Sequence, residues 1–279
     1  MTSVVGNTLV TFWEGDISWM ERLCAAAAIS TGHHFRIYTY DPGQLQPIFP
    51  AAEVLDARTI IPKASVAYQR VMPVARAYFA DLFRLELLAR GCGVWVDFDE
   101  LMLKPMTSLG VTSDGYIFGW DRKDLIANGV LYIPPESPFL ADAMRLSYAF
   151  GKTAPWWPAH KAARRYVQAT FEQARCRTLG LPPPVFKKAF MGPQVVTYLA
   201  RHYGLAGQAQ KQTVFYPVHQ TDCHLFTDPS SAAVQSTIGS DTVGIHLCHG
   251  SFQGGPLYDR VPVSGYFGEA CARFEIRDP

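Results

Sequence analysis

The sequence predicts an α/β fold, in which helices cover a sheet that contains parallel strands. Residues 4–13 are rich in β-branched and aromatic side chains, residues 17–29 carry apolar side chains at helical spacing, and residues 35–40 form a second strand-like run. Strand, helix and strand within about 40 residues is typical of a βαβ unit. A helical pattern at residues 74–90 then leads into a short apolar run at residues 94–96 and repeats the alternation.

Turn and cap residues mark the ends of these elements. The first strand stops at Glu14-Gly15-Asp16, the first helix stops before Thr31-Gly32, and the second strand is closed by Asp41-Pro42-Gly43. Gly91 and Gly93 follow the helical pattern at residues 74–90 in the manner of a C-cap. Further strands are predicted near residues 54–55 and at residues 116–120, 126–133, 214–216 and 243–247. Further helices are predicted at residues 138–150, 160–175 and 192–203.

Length and composition restrict the class of protein. The chain has 279 residues, of which 48% are hydrophobic and 18% charged, so it can build a full core as one large domain or one domain with a subdomain. Its net charge of +1 provides no bulk field for DNA, RNA or an acidic membrane. We therefore expect no nucleic-acid partner, and any anionic partner must be bound locally.

Cysteine usage and hydropathy bear on the compartment. The six cysteines include no C-x-x-C pair, which predicts reduced thiols in a cytoplasmic protein. The N-terminal residues lack the pattern of a secretory signal, and no apolar run approaches the roughly 18 residues of a membrane span. We expect a cytoplasmic protein without an integral membrane segment, and peripheral association with the inner face of the membrane stays open.

Two carboxylates follow the short apolar strand at residues 94–96. Residues two apart in an extended chain point to the same side, so Asp97 and Asp99 lie together where the strand meets a loop. Carboxylates this close repel one another unless a proton or a cation lies between them. Hard oxygen ligands suit Mg²⁺ or Mn²⁺, with positions left for phosphate oxygens. The pair indicates a metal bridging a diphosphate, and solvated loop acids are the alternative.

The surroundings of this pair resemble a known family. A D-x-x-R helix from Asp81 to Arg84, the glycine turn, Asp97-Phe98-Asp99 and Lys104-Pro105 occur in the order found in the glycosyltransferases with a DXD sugar-binding region. These are the family 32 type α-glycosyltransferases, related to the catalytic domain of the glucosylating clostridial toxins. Further segments that resemble this family are Phe12-Trp13-Glu14-Gly15, Asn128-Gly129-Val130-Leu131, Met191-Gly192-Pro193 and the stretch from His246 to Phe252.

The resemblance implies a GT-A type, Rossmann-like fold with a mixed central sheet. It implies one domain over residues 1–279, in which residues 1–135 mainly bind a nucleotide-sugar and residues 136–279 supply the acceptor side and a C-terminal metal and phosphate loop. The implied activity is a retaining, metal-dependent transfer of a hexose to a glycan or lipid-linked sugar hydroxyl. Mn²⁺ or Mg²⁺ is the implied cofactor, a UDP-hexose is favoured over GDP-mannose, and bacterial surface polysaccharide synthesis is the implied setting.

Site roles follow from the same resemblance. The implied metal ligands are Asp97, Asp99 and His246. The implied catalytic residues are Asp97, Asp99, Asn128 and Gln194. The implied donor-binding residues are Phe12, Trp13, Asp81, Arg84, Ser251 and Phe252. Phe252 departs from the family pattern, because the usual Trp can donate a hydrogen bond to phosphate and Phe cannot. The adjacent Trp156 and Trp157 are predicted to bind the acceptor, since flat rings pack on sugar faces, although a loop that shields the core has the same composition.

Other functions compete with this interpretation. Apolar residues followed by D-x-D also describe the nucleophile strand of a haloacid-dehalogenase-like phosphatase, in which Asp97 attacks phosphate and Asp99 is the general acid. A zinc enzyme is a second alternative, with candidate ligands His219, Cys223, His224, His246, Cys248 and His249. The third alternative is a non-catalytic module that binds a sugar nucleotide without turnover. Simple structural roles also stay open for single residues, such as a helix ion pair for Asp81 and Arg84.

Overall fold

A computed structural model describes residues 4–149, 152–181, 184, 192–252 and 259–278. The strands are β1 (Thr8–Phe12), β2 (His34–Thr39), β3 (Glu53–Asp56), β4 (Val94–Val96), β5 (Glu100–Met102), β6 (Trp120–Arg122), β7 (Leu125–Ile126), β8 (Val130–Leu131) and β9 (Gly244–His246). The helices are α1 (Trp19–Ser30), α2 (Pro42–Leu45), α3 (Val66–Val71), α4 (Arg76–Ala89), α5 (Pro138–Tyr148), α6 (Ala159–Thr178), α7 (Gly192–His202), α8 (Gln212–Phe215), α9 (Ala232–Thr237) and α10 (Gly265–Arg273).

The central sheet has five strands in the order β3-β2-β1-β4-β8. The first four are parallel, and β8 runs antiparallel to β4. This mixed sheet, with helices between its parallel strands, confirms the predicted α/β class. The chain proceeds from β1 to β3 on one side and then returns to place β4 on the other side of β1. The strand order therefore reverses between β1 and β4, which is where open α/β sheets bind their ligands.

Local sequence accounts for the first helix and for the entry into β4. Helix α1 begins with a capping box, in which the Ser18 backbone N–H donates to Glu21 and the Ser18 hydroxyl also contacts that carboxylate. After α4, Gly93 has a φ of +147°, and a Cβ atom there would lie 2.6 Å from the backbone oxygen of Thr8. Glycine is needed at this position because β4 enters the sheet directly against β1.

Three predicted strands differ from the structure. The run at residues 126–133 is divided between β7, which ends at Ile126, and β8, which pairs with β4 in a different sheet. Residues 214–216 were expected to be extended, but Val214 and Phe215 close the short helix α8. One helical turn buries both side chains and leaves the Val214 carbonyl free to accept a hydrogen bond from the Val243 N–H, so packing overrides the β-preference of this run. Within residues 116–120, Ile117 forms only an isolated bridge to Tyr132, and Trp120 belongs to the hairpin of β6 and β7.

The core is divided between two clusters of buried side chains. The larger cluster surrounds the central sheet, and the smaller one fills the space between α1, the β5–β9 pair and α10, with Trp19, Met20, Phe226 and Phe267 among its members. The cysteines are unpaired thiols, as predicted. Among the described residues, no helix combines the length and the apolar character that a membrane crossing requires.

Candidate metal and donor site

Some of the predicted site residues lie at the carboxyl ends of β1 and β4. Trp13 follows β1 directly, and Asp97 follows β4 directly. The rings of Trp13 and Phe98 are in edge-to-face contact, with their centroids 5.6 Å apart. The two strand ends thus form one edge, at the point where the strand order reverses.

Asp97, Asp99 and His246 form a three-residue cluster whose candidate ligand atoms all lie within 4.8 Å of one another. Pairing of β5 with β9 produces it, because Glu100 is directly opposite His246 in the antiparallel register. His246 is thereby brought beside Asp99, with 3.5 Å between its Nδ1 atom and the Asp99 Oδ1 atom. The side chains of Asp97 and His246 are 29% and 27% exposed, so a ligand can reach the cluster.

The Asp97 carboxylate is oriented by two donors. Arg84 Nη2 donates at 2.6 Å and the indole Nε1 of Trp95 donates at 2.8 Å, and both bonds go to Oδ1 of Asp97. The Arg84 guanidinium also lies over the Trp95 ring, 4.6 Å from its centroid. Both donors bind the same carboxylate oxygen, Oδ1, so Oδ2 of Asp97 receives no hydrogen bond from Arg84 or Trp95.

Asp99 is held from the loop that follows β9. The backbone N–H of His249 donates to Asp99 Oδ2 at 2.8 Å. The His249 ring in turn lies 3.2 Å from a carboxylate oxygen of the buried Glu21 and contacts the Trp13 ring edge-to-face. Through His249 alone, the loop after β9 therefore contacts the Asp99 carboxylate, Glu21 of α1 and Trp13 at the end of β1.

Charge and burial shift the pKa values of this cluster. Burial raises the pKa of Asp97 above its usual range, the Arg84 charge opposes that shift, and Asp99 adds to it. Burial would lower the pKa of His246, but the charges of Asp99 and Glu100 raise it to about 10. Burial raises the pKa of Glu100 to about 7. Neither Glu100 oxygen nor His246 Nδ1 has a hydrogen-bond partner among the described residues, so polar atoms of the cluster are left for a ligand.

Asp81 links the cluster to two further chain segments. Its Oδ1 atom accepts hydrogen bonds from Asn128 Nδ2 at 2.7 Å and from Arg84 Nη1 at 3.3 Å, and its Oδ2 atom accepts one from the Gly192 backbone N–H at 3.0 Å. A Cβ atom at Gly192 would lie 1.9 Å from the Asn128 amide nitrogen. The structure thus brings Asp81, Arg84, Asn128 and Asp97 into one continuous network, beside the start of α7.

The other predicted donor residues have different surroundings. Trp13 is partly exposed, and its indole N–H donates to the Asp16 carbonyl at 3.1 Å. Phe12 is buried, with its ring stacked on Phe83 at a centroid distance of 4.4 Å. The contribution of Phe12 is therefore to the core, and a donor contact by its ring finds no support in this packing.

Ser251 and Phe252 end the loop after His249. Ser251 is exposed, within the 3-10 turn His249–Ser251. The Phe252 ring packs edge-to-face on Phe267 at 5.5 Å, as part of the smaller core cluster. Phe252, which stands where the family has Trp, thus packs against the smaller core cluster, and this position gives no support to its predicted donor role.

Trp156 and Gln194 meet at a separate cleft. Trp156 Nε1 donates to Gln194 Oε1 at 3.0 Å, and the Trp156 ring contacts Tyr198. A cavity of about 490 Å³ lies here, and its lining includes Trp156, Gln194, Thr197, Tyr198, Arg201 and His202. Trp157 contacts Lys161, whose ammonium lies 4.9 Å from the ring centroid. Gln194 thus lies in an aromatic cleft with Trp156 as its side-chain partner, and its catalytic role stays a prediction.

Several contributors were missed by sequence reasoning. Glu100 directly follows Asp99, but only the β5–β9 register shows that it faces His246. Glu21 and Trp95 carried no signal, because a capping-box glutamate and a buried strand tryptophan have sufficient structural roles. The six-residue zinc alternative is not supported: in the described segments, Asp97, Asp99 and His246 are the only group of three or more metal-ligating side chains.

Comparisons with known proteins give a likeness among solved structures. No protein-family model matches the chain, and no curated protein matches it. Among solved structures, the chain is similar to one titled "PaToxG Glycosyltransferase", with 14% sequence identity and a TM-score of 0.49. The similarity covers 73% of this chain and 72% of that one.

Proposed function

We propose that this protein is a metal-dependent glycosyltransferase of the GT-A type, which moves a hexose from a nucleotide-diphosphate sugar to a glycan or lipid-linked sugar hydroxyl. The observation that carries the proposal is the Asp97–Asp99–His246 cluster at the edge where the strand order reverses. Retention of configuration, preference for a UDP-hexose over GDP-mannose and a role in bacterial surface polysaccharide synthesis rest on the sequence resemblance.

The donor set fits a divalent cation. Two carboxylates and one imidazole, partly exposed and with His246 Nδ1 facing carboxylate oxygens without a hydrogen bond, are ligands of the kind that Mn²⁺ accepts, and Mg²⁺ also favours the carboxylates. Asp97, Asp99 and His246 would hold it. When bound, the cation supplies Lewis-acid stabilisation of the charge on a leaving nucleoside diphosphate.

Arg84 acts on this site through Asp97. Its guanidinium is 5% exposed and is engaged by Asp81 and Asp97, so direct contact with phosphate would require breaking one of these bonds. We therefore assign Asp81 and Arg84 to positioning Asp97, in place of direct donor binding. Asn128 shares Asp81 as its partner and connects this network to β8.

The two ends of the substrate are assigned to different surfaces. Trp13 is the candidate for stacking on the nucleotide base, because it borders the cluster at the end of β1. The cleft of Trp156, Tyr198 and Gln194 is the candidate acceptor surface, since it combines flat rings with an amide. Trp157, which is adjacent to Trp156 in the chain, is assigned to the edge of this acceptor surface.

Ligand-dependent thermal stability tests the proposal. Purified protein is heated with UDP, GDP or their common sugars, each with and without Mn²⁺. At 100 times the dissociation constant, binding stabilises the native state by about 2.7 kcal/mol, which raises the melting temperature by about 5–10 °C. We expect a Mn²⁺-dependent increase with one nucleotide family.

Two variants make the test specific. Asp99→Ala removes a proposed ligand and should abolish the Mn²⁺-dependent increase and sugar transfer. Glu136→Ala removes an exposed carboxylate in the turn before α5, next to Pro135, which faces Gly91 ahead of β4, and should leave both unchanged. An unchanged increase in Asp99→Ala contradicts the metal assignment. No increase with any nucleotide contradicts the transferase proposal and favours the phosphatase, whereas a Mn²⁺-dependent increase without sugar transfer favours the non-catalytic module.

A further inference from the structure

Helix α6 is held against the rest of the molecule along one narrow line. Of its twenty residues, only Ala169 is buried, and Ala162 and Cys176 are half-buried. These three small residues are spaced by seven and lie on one side of the helix. The remainder of the helix surface faces solvent.

The solvent-facing surface of α6 carries large apolar side chains. Phe171 is 74% exposed, Tyr166 is 54% exposed and Val167 is 52% exposed. With Ala163, Thr170 and Ala174 they follow the spacing of one helix face. Two leucines just beyond the helix, Leu179 and Leu181, are also more than half exposed. We call the face formed by residues 163, 166, 167, 170, 171 and 174 the apolar face of α6.

Basic side chains flank this face on both sides. The helix has five arginines and lysines and a single acidic residue, Glu172, whereas the whole chain has a net charge of only +1. Arg164 and Arg175 lie seven and four residues from Phe171, along one border of the apolar face. On the other border, the Lys152 ammonium lies 5.0 Å from the Tyr166 ring centroid and donates to the Thr170 hydroxyl at 3.0 Å.

We propose that α6 binds an anionic lipid bilayer, lying in the plane of its surface with Tyr166, Val167 and Phe171 among the acyl chains. Aromatic and branched side chains between two basic borders match an apolar interior covered by acidic headgroups. Long basic side chains reach back to phosphate while their stems cover apolar surface. The binding is local, which agrees with a chain whose overall charge is nearly zero.

The charge distribution favours lipid over other occupants. A second copy of α6 placed against the first would bring its excess positive charge against the same charge, which disfavours self-association. Nucleic acid would be bound by the basic residues without using the exposed apolar side chains. This proposal does not depend on the activity of the metal site, because α6 contributes none of the cluster's residues.

Vesicle sedimentation tests the proposal with the full chain. The protein is mixed with vesicles of phosphatidylcholine alone or with 30% phosphatidylglycerol, at low and high salt. Each basic residue near an anionic surface contributes about fivefold to partitioning, so Arg164→Gln combined with Arg175→Gln should weaken binding about 25-fold. Lys123→Gln combined with Lys211→Gln, which removes two exposed lysines elsewhere, should leave it unchanged.

An apolar substitution separates lipid insertion from simple charge attraction. Phe171→Gln should weaken binding about tenfold, because a ring buried among acyl chains is lost, whereas Val263→Gln, at a position that is even more exposed, should have no effect. Since Phe171 is mostly exposed, circular dichroism and the melting temperature should match the parent. Absence of binding to the anionic vesicles at low salt overturns the proposal, as does equal binding by the Arg164/Arg175 variant. Self-association or duplex DNA binding without vesicle binding also overturns it.

Discussion

Replacement of Arg84 by Met removes the charge that joins Asp81 to Asp97 while keeping most of the side-chain volume. Arg84 is 5% exposed and donates to Asp97 at 2.6 Å and to Asp81 at 3.3 Å. Breaking a buried pair costs about 3–5 kcal/mol, because a carboxylate is left without its partner. The Asp81 and Asp97 side chains are 17% and 29% exposed, so solvent reduces this cost to about 2–4 kcal/mol.

The effect of this replacement depends on pH with a defined sign. Burial already raises the pKa of Asp81, and the Arg84 charge opposes that shift, so Arg84→Met raises the pKa further. An acid whose pKa is raised in the folded state loses its favourable contribution as the pH rises through that value. The free energy of unfolding of the variant should therefore lie further below that of the parent at pH 7.5 than at pH 5.

Urea unfolding at these two pH values measures both quantities. Arg90→Met is the control at the end of the same helix. Arg90 pairs with Glu86 and donates to the Ile60 carbonyl, but its side chain is 40% exposed, so its loss should cost only about 1–2 kcal/mol. At pH 7.5 the melting temperature of Arg84→Met should fall by about 5–12 °C. The reasoning is refuted if Arg84→Met costs no more than Arg90→Met, or if its cost is the same at pH 5.

Three further predictions concern single backbone or buried positions. Gly192→Ala should destabilise the protein by about 1–3 kcal/mol and reduce activity, because the added Cβ would meet the Asn128 amide and the Asp81 carboxylate. Gly207→Ala is the control: it has open space around it and should change neither melting temperature nor turnover. Gly93→Ala should lower the free energy of unfolding by about 2 kcal/mol or more, and by more than Gly110→Ala, because both have positive φ but only Gly93 closely contacts another strand; equal costs in urea unfolding would contradict this. Glu21→Gln keeps the capping geometry and removes a buried charge. Since burial raises the pKa of Glu21 above its ordinary value of 4.5, the free energy of unfolding of the variant should increase relative to the parent between pH 5 and pH 8. A decrease over that range would show that the contact of Glu21 with the loop after β9 outweighs the effect of burial.

Much of the central sheet was predictable because its signals are local. The order of strand, helix and strand from β1 to β2 follows from periodicity and turn residues, and residues 94–96 form β4 as predicted. The strand expected at residues 214–216 was wrong, because a short β-branched and aromatic run is satisfied equally well by one helical turn. The β-propensity of so short a segment determines its conformation only where tertiary packing does not favour another one.

The candidate site was predictable in part for the same reason. Asp97 and Asp99 are neighbours along the chain, and Asp81 and Arg84 are one helical turn apart, so their proximity follows from local geometry. The contact of Asp81 with Asn128 and Gly192 depends on the meeting of three segments far apart in sequence. The packing of Phe12 and Phe252 into the two core clusters likewise depends on their distant neighbours.

By itself, the sequence determined the α/β class, the position of the acidic pair after a buried strand, and the helix at residues 160–175. These properties depend on residues close together in the chain, whose spacing fixes which side chains share a side. The resemblance in sequence implied that His246 joins Asp97 and Asp99, but only the tertiary structure decided that Glu100 faces His246 and that α6 leaves its apolar face in solvent. Strand register and the choice of buried helix face are set by long-range packing, which no local pattern specifies.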